Sequence, residues 1–190
     1  MSKSALSERL LLNLPDPLPR GEPALSSVLA IMGWNPITSR EEILLTKRTE
    51  YVETHKGQIS FRGGYWENND SDLLATALRE SEEEIGLKPS EVTILCNLEP
   101  VRTRSNVVVY PWVGKLDYPY PFQINPREVD TLVFLPVLDL LEKGLQPVNV
   151  PVAEGFSVES KGIWVDGHLV WGATARMLEL LREKLLGSYR

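Results

Sequence analysis

An α+β sandwich, with strands, a helix, more strands and a closing helix, is the fold class that the pattern of residues predicts. Three observations carry it. Two β-rich runs lie between Ser27 and Lys47; a sharply bounded helix begins at Leu73 and stops at Gly86; and the chain closes on a segment with leucines at helical spacing.

Taken in order, residues 1–26 read as an N-terminal arm, and residues 27–190 as one catalytic-sized domain. The arm offers a leucine-rich helix, Ser4 to Leu14, which Pro15, Pro17, Pro19 and Pro23 cannot continue. Val28 to Trp34 and Ile43 to Lys47 are strand-like and separated by Asn-Pro and Thr-Ser. A third short strand, Gln58 to Phe61, runs into Gly63 and Gly64. Asp70 or Ser71 supplies the cap of the central helix, and Gly86 with Pro89 ends it. Val92 to Leu98, Val107 to Leu116 and Val129 to Phe134 read as strands, and Pro136 opens a short helix through Leu141. Ile163 to Val165 and Leu169 to Trp171 flank Asp166 and Gly167 as a hairpin, with His168 assigned to its turn. Ala175, Leu178, Leu181 and Leu185 give the last helix, Ala173 to Leu186, its apolar stripe.

Composition removes several function classes. Apolar residues are 43% of the 190 and charged residues 24%, the balance of a globular protein. No apolar run approaches the ~20 residues that cross a bilayer, and the N-terminus lacks the succession of an export signal, so no membrane and a cytoplasmic location are expected. The single Cys96 excludes an internal disulfide and agrees with a reducing compartment. A net charge of −6 argues against nucleic acid as the partner. The positive residues nevertheless gather, with Lys47, Arg48, His55, Lys56 and Arg62 before the central helix and Arg102 and Arg104 after it. That grouping suits a phosphate-facing rim. The arm's leucines leave room for a homodimer.

The chemistry concentrates on the central helix. Leu74, Ala77, Leu78, Ser81 and Ile85 share one arc, and the reading sets Glu80, Glu83 and Glu84, spaced i, i+3 and i+4, on a stripe roughly opposite. Three like charges repel one another, and they stand in the half of the helix where its dipole already disfavours anions. Either they form a solvated acidic face or they bind a cation, and oxygen-rich stripes suit Mg²⁺ or Mn²⁺. Two neighbours favour the cation. Gly63 and Gly64 could bring a backbone carbonyl against it, and Arg79 could hold a glutamate through paired hydrogen bonds.

Gly64, Asp70, Arg79-Glu80, Glu83-Glu84, Gly86 and Leu87 together resemble the Nudix box. Leu44 to Arg48 and His55-Lys56-Gly57-Gln58-Ile59-Ser60-Phe61 resemble the further signature of the coenzyme A pyrophosphatase branch, as do Asn125 to Val129 and Trp171 to Ala175. The resemblance covers roughly Ser27 to Leu186. Arg62 stands where that branch usually has proline, and Tyr65-Trp66 where it has small or basic residues.

The resemblance implies an α/β/α sandwich with a mixed central sheet, a catalytic helix after a Gly-Gly loop and a C-terminal helix. It also implies hydrolysis of a diphosphate bond in a nucleotide, with coenzyme A or its thioesters giving 3′,5′-ADP and 4′-phosphopantetheine. Glu80, Glu83, Glu84 and the Gly64 carbonyl would hold Mg²⁺ or Mn²⁺. The general base would be a helix glutamate or Glu128. Arg48, His55, Lys56 and Arg62 are the expected contacts to substrate phosphate, with a turn-stabilising role as the alternative for His55.

Overall fold

Strand β1 (Leu25–Asn35) explains most of the architecture, because its residues are buried on both faces from Ser27 to Gly33. Such a strand reads as a continuous apolar run and must lie between two layers. Even positions Val28, Ala30 and Met32 join one apolar cluster, and odd positions Leu29 and Ile31 join another. β2 (Arg40–Arg48) repeats the alternation, with Ile43 and Leu45 on the first side and Leu44 on the second.

The computed structural model describes residues 25–51, 55–153 and 156–187, so the expected helix at Ser4 to Leu14 lies outside the described residues. The remaining strands of the main sheet are β3 (Ile59–Ser60), β4 (Arg62–Tyr65), β5 (Thr93–Asn97), β6 (Val101–Arg102), β7 (Val108–Lys115) and β8 (Val129–Pro136). On one edge β1 runs parallel to β7, which carries β5 and β6; on the other it meets β2, and β2 in turn meets β8. The sheet is therefore mixed, as expected.

One irregularity in that sheet positions everything that follows. β1 pairs with β2 only from Ile31 to Asn35, and further back its Ser26 to Leu29 pair with β4 instead. β3 pairs with Thr46 and Lys47 of β2. The segment 59–65 thus enters the fork where β1 and β2 part, binding β2 first and β1 afterwards. The single third strand expected at Gln58 to Phe61 is in fact two short strands about Phe61, because the segment changes partners there.

Helix α1 (Leu73–Ile85) covers the side of Leu29, Ile31 and Leu44. Its cap is Asp72, whose side chain accepts from Ala75 N at 2.8 Å, rather than Asp70 or Ser71. Gly86 ends it with φ 69°, a left-handed conformation that glycine adopts without steric cost. Helices α2 (Val137–Lys143) and α3 (Gly172–Leu185) lie with the other cluster, α3 through Met177, Leu178, Leu180, Leu181 and Leu185. A second sheet of β9 (Gln146–Ala153), β10 (Phe156–Val165) and β11 (His168–Trp171) adds Ile163, Val165 and Val170 to it. β9 was not expected: Pro147 and Pro151 argue against a strand, and they are tolerated because β9 is an edge. His168 starts β11 opposite Val165, so it belongs to the strand and not to the turn. No helix among the described residues is long and apolar enough to cross a membrane.

Candidate active site

Asp70 is the first fixed point beyond the fork. It is buried, and its two oxygens accept from Arg79 Nε at 2.9 Å and Nη2 at 3.0 Å, a fork-to-fork pair. Thr76 Oγ1 and the Glu67 N–H donate to the same carboxylate, at 2.9 and 3.0 Å. The Arg79 pair, with these two donors, holds the carboxyl down at about 2, against the effect of burial. Arg79 then reaches in two further directions. Its Nη1 donates to Glu80 Oε1 at 2.9 Å and lies 3.4 Å from Glu83 Oε2, while Nη2 donates to the Tyr65 carbonyl at 3.3 Å. One guanidinium therefore ties the end of β4 to the acidic helix; it meets Glu80 through one hydrogen bond, and the paired bonds expected toward a glutamate go to Asp70 instead.

Glu80 and Glu84 point toward the fork. A methyl group at Gly64 would overlap the Glu80 carboxylate, so this side chain lies directly against the glycine backbone. Glu84 is 2% exposed, which corrects the expected stripe: Glu84 falls within the buried arc with Ala77, Ser81 and Ile85, and Glu83, exposed, is the member that faces solvent. Successive turns advance by ~100° per residue, which puts position 84 only ~20° from position 77, on the core side.

Arg62 departs furthest from expectation. It is 2% exposed and does not face a ligand from the rim; Nη1 donates to Glu84 Oε2 at 2.8 Å and Nη2 to Ser60 Oγ at 2.7 Å. Its Cα lies opposite Leu29 of β1, and the side chain is carried inward beneath α1. Burial lowers the pKa of Arg62 and pushes the Glu84 carboxyl up to about 7. Desolvation thus outweighs the mutual attraction of this pair, as is common for ion pairs taken out of water. Glu128 and Glu80 push Glu84 further in the same direction, while Arg62 and Arg48 oppose.

That mutual influence places Glu128 and Arg48 beside the cluster. The segment carrying Glu128 is docked on the end of α1, where Gln123 N donates to the Ile85 carbonyl and Asn125 N to that of Glu84, at 2.9 and 2.8 Å. Asn125 makes an Asx turn to Arg127 N at 3.1 Å, and its Nδ2 donates to Glu128 Oε1 at 3.1 Å. From the other side Thr49 N donates to the Glu128 carbonyl at 3.0 Å, just past Arg48. His55 and Lys56 are not brought in. Both are exposed on the turn before β3; the His55 ring pairs with Gln58 Oε1 at 3.1 Å, with φ 58°. Among the described residues neither bonds to the acidic cluster, and the His55 ring contact lies within its own turn. Lys47 is engaged with Asp130 at 2.8 Å, and Arg102 with Asn106 at 3.0 Å. Sequence reasoning missed Ser60 and Thr49 as supports; only the split sheet shows what they face.

Whether these residues suit a divalent cation is a question of donors. Among the described residues no three acidic or imidazole groups are drawn into a finished cage. Glu80 is held by Arg79 and Glu84 by Arg62 instead. The donor chemistry nevertheless suits a hard cation: Glu80 lies against the Gly64 backbone and Glu84 reaches into the fork at Arg62, and burial raises the pKa of both carboxyls, with Glu128 adding to each.

Comparison with known proteins gives a consistent result. The NUDIX domain family profile matches residues 29–156. A Nudix hydrolase named NudL from Yersinia pestis (strain Pestoides F), described as uncharacterized, is 33% identical over 152 residues, spanning 79% of this chain and 76% of its own. A NudL from Yersinia pseudotuberculosis (serotype O:1b) matches equally. Among solved structures, a MutT/nudix family protein from Enterococcus faecalis aligns over 97% of this chain and 74% of its own, with TM-score 0.53 and 15% identity. An Ap4A hydrolase binary complex from C. elegans aligns over 63% and 85%, with TM-score 0.51 and 20% identity. These likenesses show the fold.

Proposed function

The chain belongs to the Nudix family, and we propose that it hydrolyses the diphosphate bond of a nucleoside diphosphate derivative, with coenzyme A or an acyl-coenzyme A as the substrate. Membership makes it a hydrolase of phosphoric anhydrides. The observation that supports the site assignment is that Glu80 lies against Gly64 while Glu84, one turn on, meets Arg62 of the same strand.

Glu80 and Glu84 would hold Mg²⁺ or Mn²⁺, with Glu83 and the Gly64 carbonyl completing the set from the solvent side and the strand. The cation supplies charge neutralisation of the diphosphate and lowers the pKa of a bound water. Arg79, braced by Asp70, fixes the rotamer of Glu80, so the carboxylate is preorganised before any ligand arrives. Glu128 is the acid of this cluster with no ion pair to an arginine among the described residues, and Asn125 orients it through one oxygen. It is the group we assign to take the proton as water adds to phosphorus and the bridging P–O bond breaks. Arg48, His55 and Lys56 would meet substrate phosphate from the rim.

Support for coenzyme A comes from the segments Leu44 to Arg48 and His55 to Phe61, which feed β2 and β3 into the fork. Arg62, one of the departures from that branch, is buried and directed at Glu84, so it bears on the acidic cluster. Tyr65, 60% exposed, remains as a departure facing outward and keeps a second reading open, another nucleotide such as a dinucleotide or nucleotide sugar.

A panel of coenzyme A, acetyl-coenzyme A, dinucleotides, nucleotide sugars and nucleoside triphosphates with Mg²⁺ or Mn²⁺ tests this. The expected result is 3′,5′-ADP and phosphopantetheine by mass spectrometry, with inorganic phosphate only after a phosphatase is added. Intact coenzyme A beside rapid cleavage of another member would transfer the assignment to the second reading.

A further inference from the structure

Arg62 and Glu84 form an ion pair with side-chain exposures of 2% and 3%, and both ends of the pair are fixed. The guanidinium is anchored behind by Ser60 Oγ at 2.7 Å, and the Glu84 backbone is held by Asn125 N at 2.8 Å. Arginine keeps its proton under all ordinary conditions, so its donors to Glu84 Oε2 and Ser60 Oγ are not lost by titration. The Nε of Arg62 is buried with no partner, an unmet donor retained while the other two nitrogens hold Glu84 and Ser60.

We infer that Arg62 is a positioning residue that sets which divalent cation the acidic cluster accepts: by occupying Oε2 it leaves Glu84 a ligand through one oxygen only. This rests on the reading that Glu80 and Glu84 hold the cation. The chemistry behind it is the difference between hard cations. Ca²⁺ takes six to eight oxygens and readily draws both from one carboxylate, whereas Mg²⁺ requires octahedral geometry with single-oxygen donors, which Mn²⁺ shares. A Glu84 confined to Oε1 disfavours the first and suits the second. The guanidinium charge repels all divalent cations alike, so absolute affinity does not isolate this effect. The ratio of affinities does.

The experiment is a Mn²⁺ titration of the full chain, following the electron paramagnetic resonance of free Mn²⁺, with Mg²⁺ and Ca²⁺ as competitors and thermal melting as the check on folding. Arg62→Met keeps an unbranched stem without donors and is expected to move the Ca²⁺/Mg²⁺ affinity ratio toward Ca²⁺ by about tenfold, the lower end of effects from removing a ligand's support. Arg62→Lys retains one donor for Oε2 and should stay within about threefold of the parent. Ser60→Ala, which loosens the guanidinium without removing it, should move the ratio in the same direction by less, and it decides the matter if Arg62→Met does not fold. An unchanged ratio in Arg62→Met, or in Ser60→Ala when the former is unfolded, would overturn the inference. So would a shift in Arg62→Lys as large as in Arg62→Met, or loss of all divalent binding in folded Arg62→Met. Failure of the underlying reading looks different: Glu80→Gln and Glu84→Gln would then bind Mn²⁺ as the parent does.

Discussion

The Glu80 carboxylate rests against the backbone of Gly64, in the space that a side chain at 64 would fill. The contact joins the last strand of the fork to the acidic helix, and it makes position 64 part of the site although glycine carries no functional group.

Gly64→Ala is therefore expected to separate activity from stability. The three atoms nearest the added methyl all belong to the far end of the Glu80 side chain, so Glu80 swings aside and the fold loses about 1 kcal/mol. Turnover should fall by at least about tenfold, because the displaced carboxylate leaves its preorganised position. Steady-state kinetics beside urea unfolding checks both halves, and unchanged turnover would remove the Glu80–Gly64 contact from the mechanism.

Glu84→Gln and Glu80→Gln should each lower kcat by about 100-fold or more with the fold retained, since each removes a charged oxygen donor from the proposed cation site. Near-normal turnover of a folded Glu84→Gln protein at saturating Mg²⁺ would refute the assignment of that residue.

The metal-free protein should lose stability as pH rises from about 4.5 to about 7. Glu84 has a folded pKa of about 7, above its ordinary value of 4.5, so its contribution is full below 4.5 and disappears as pH passes through the folded value. The loss is on the order of 3 kcal/mol at most. Thermal melting in chelator across pH 4.5 to 8 should show the decline in the parent protein and a flatter profile in Glu84→Gln. Parallel profiles would contradict it.

Asp70 titrates with the opposite sign. Its folded pKa of about 2 lies below the ordinary 3.8, so its stabilisation is complete above 3.8 and lost as pH falls toward 2. Asp70→Asn should cost about 2 kcal/mol at pH 7, and the gap to the parent should close between pH 4 and pH 2. Denaturant unfolding at pH 7, 4 and 2 measures it. The variant should also lower turnover, because Arg79 loses the brace that aims it at Glu80.

Local rules were enough to make several features legible. The limits of α1 followed from its apolar arc and a left-handed glycine, although its cap is Asp72 and not Asp70 or Ser71, and the strands β1, β2, β5, β7 and β8 followed from apolar runs, since these depend on neighbours in the chain. The contact of Arg79 with Glu80 was foreshadowed by the residues of the box, whereas Asp70, read as a helix cap, is instead the partner of Arg79. What escaped was whatever depends on a distant partner. β9 and the first half of β10 are polar or proline-bearing and become strands only by pairing with each other. The exchange of partners about Phe61 is visible only once β1 and β2 diverge. Residue types and spacing thus determined the helix and the set of acids, and the resemblance to the box pointed to the family. Tertiary structure alone decided that Arg62 turns inward to Glu84 and that His55 and Lys56 stay outside. The reason is physical: a charged side chain's identity is written in the chain, but whether it meets water, a phosphate or another charge is settled by which strands enclose it, and here the fork closes over Arg62.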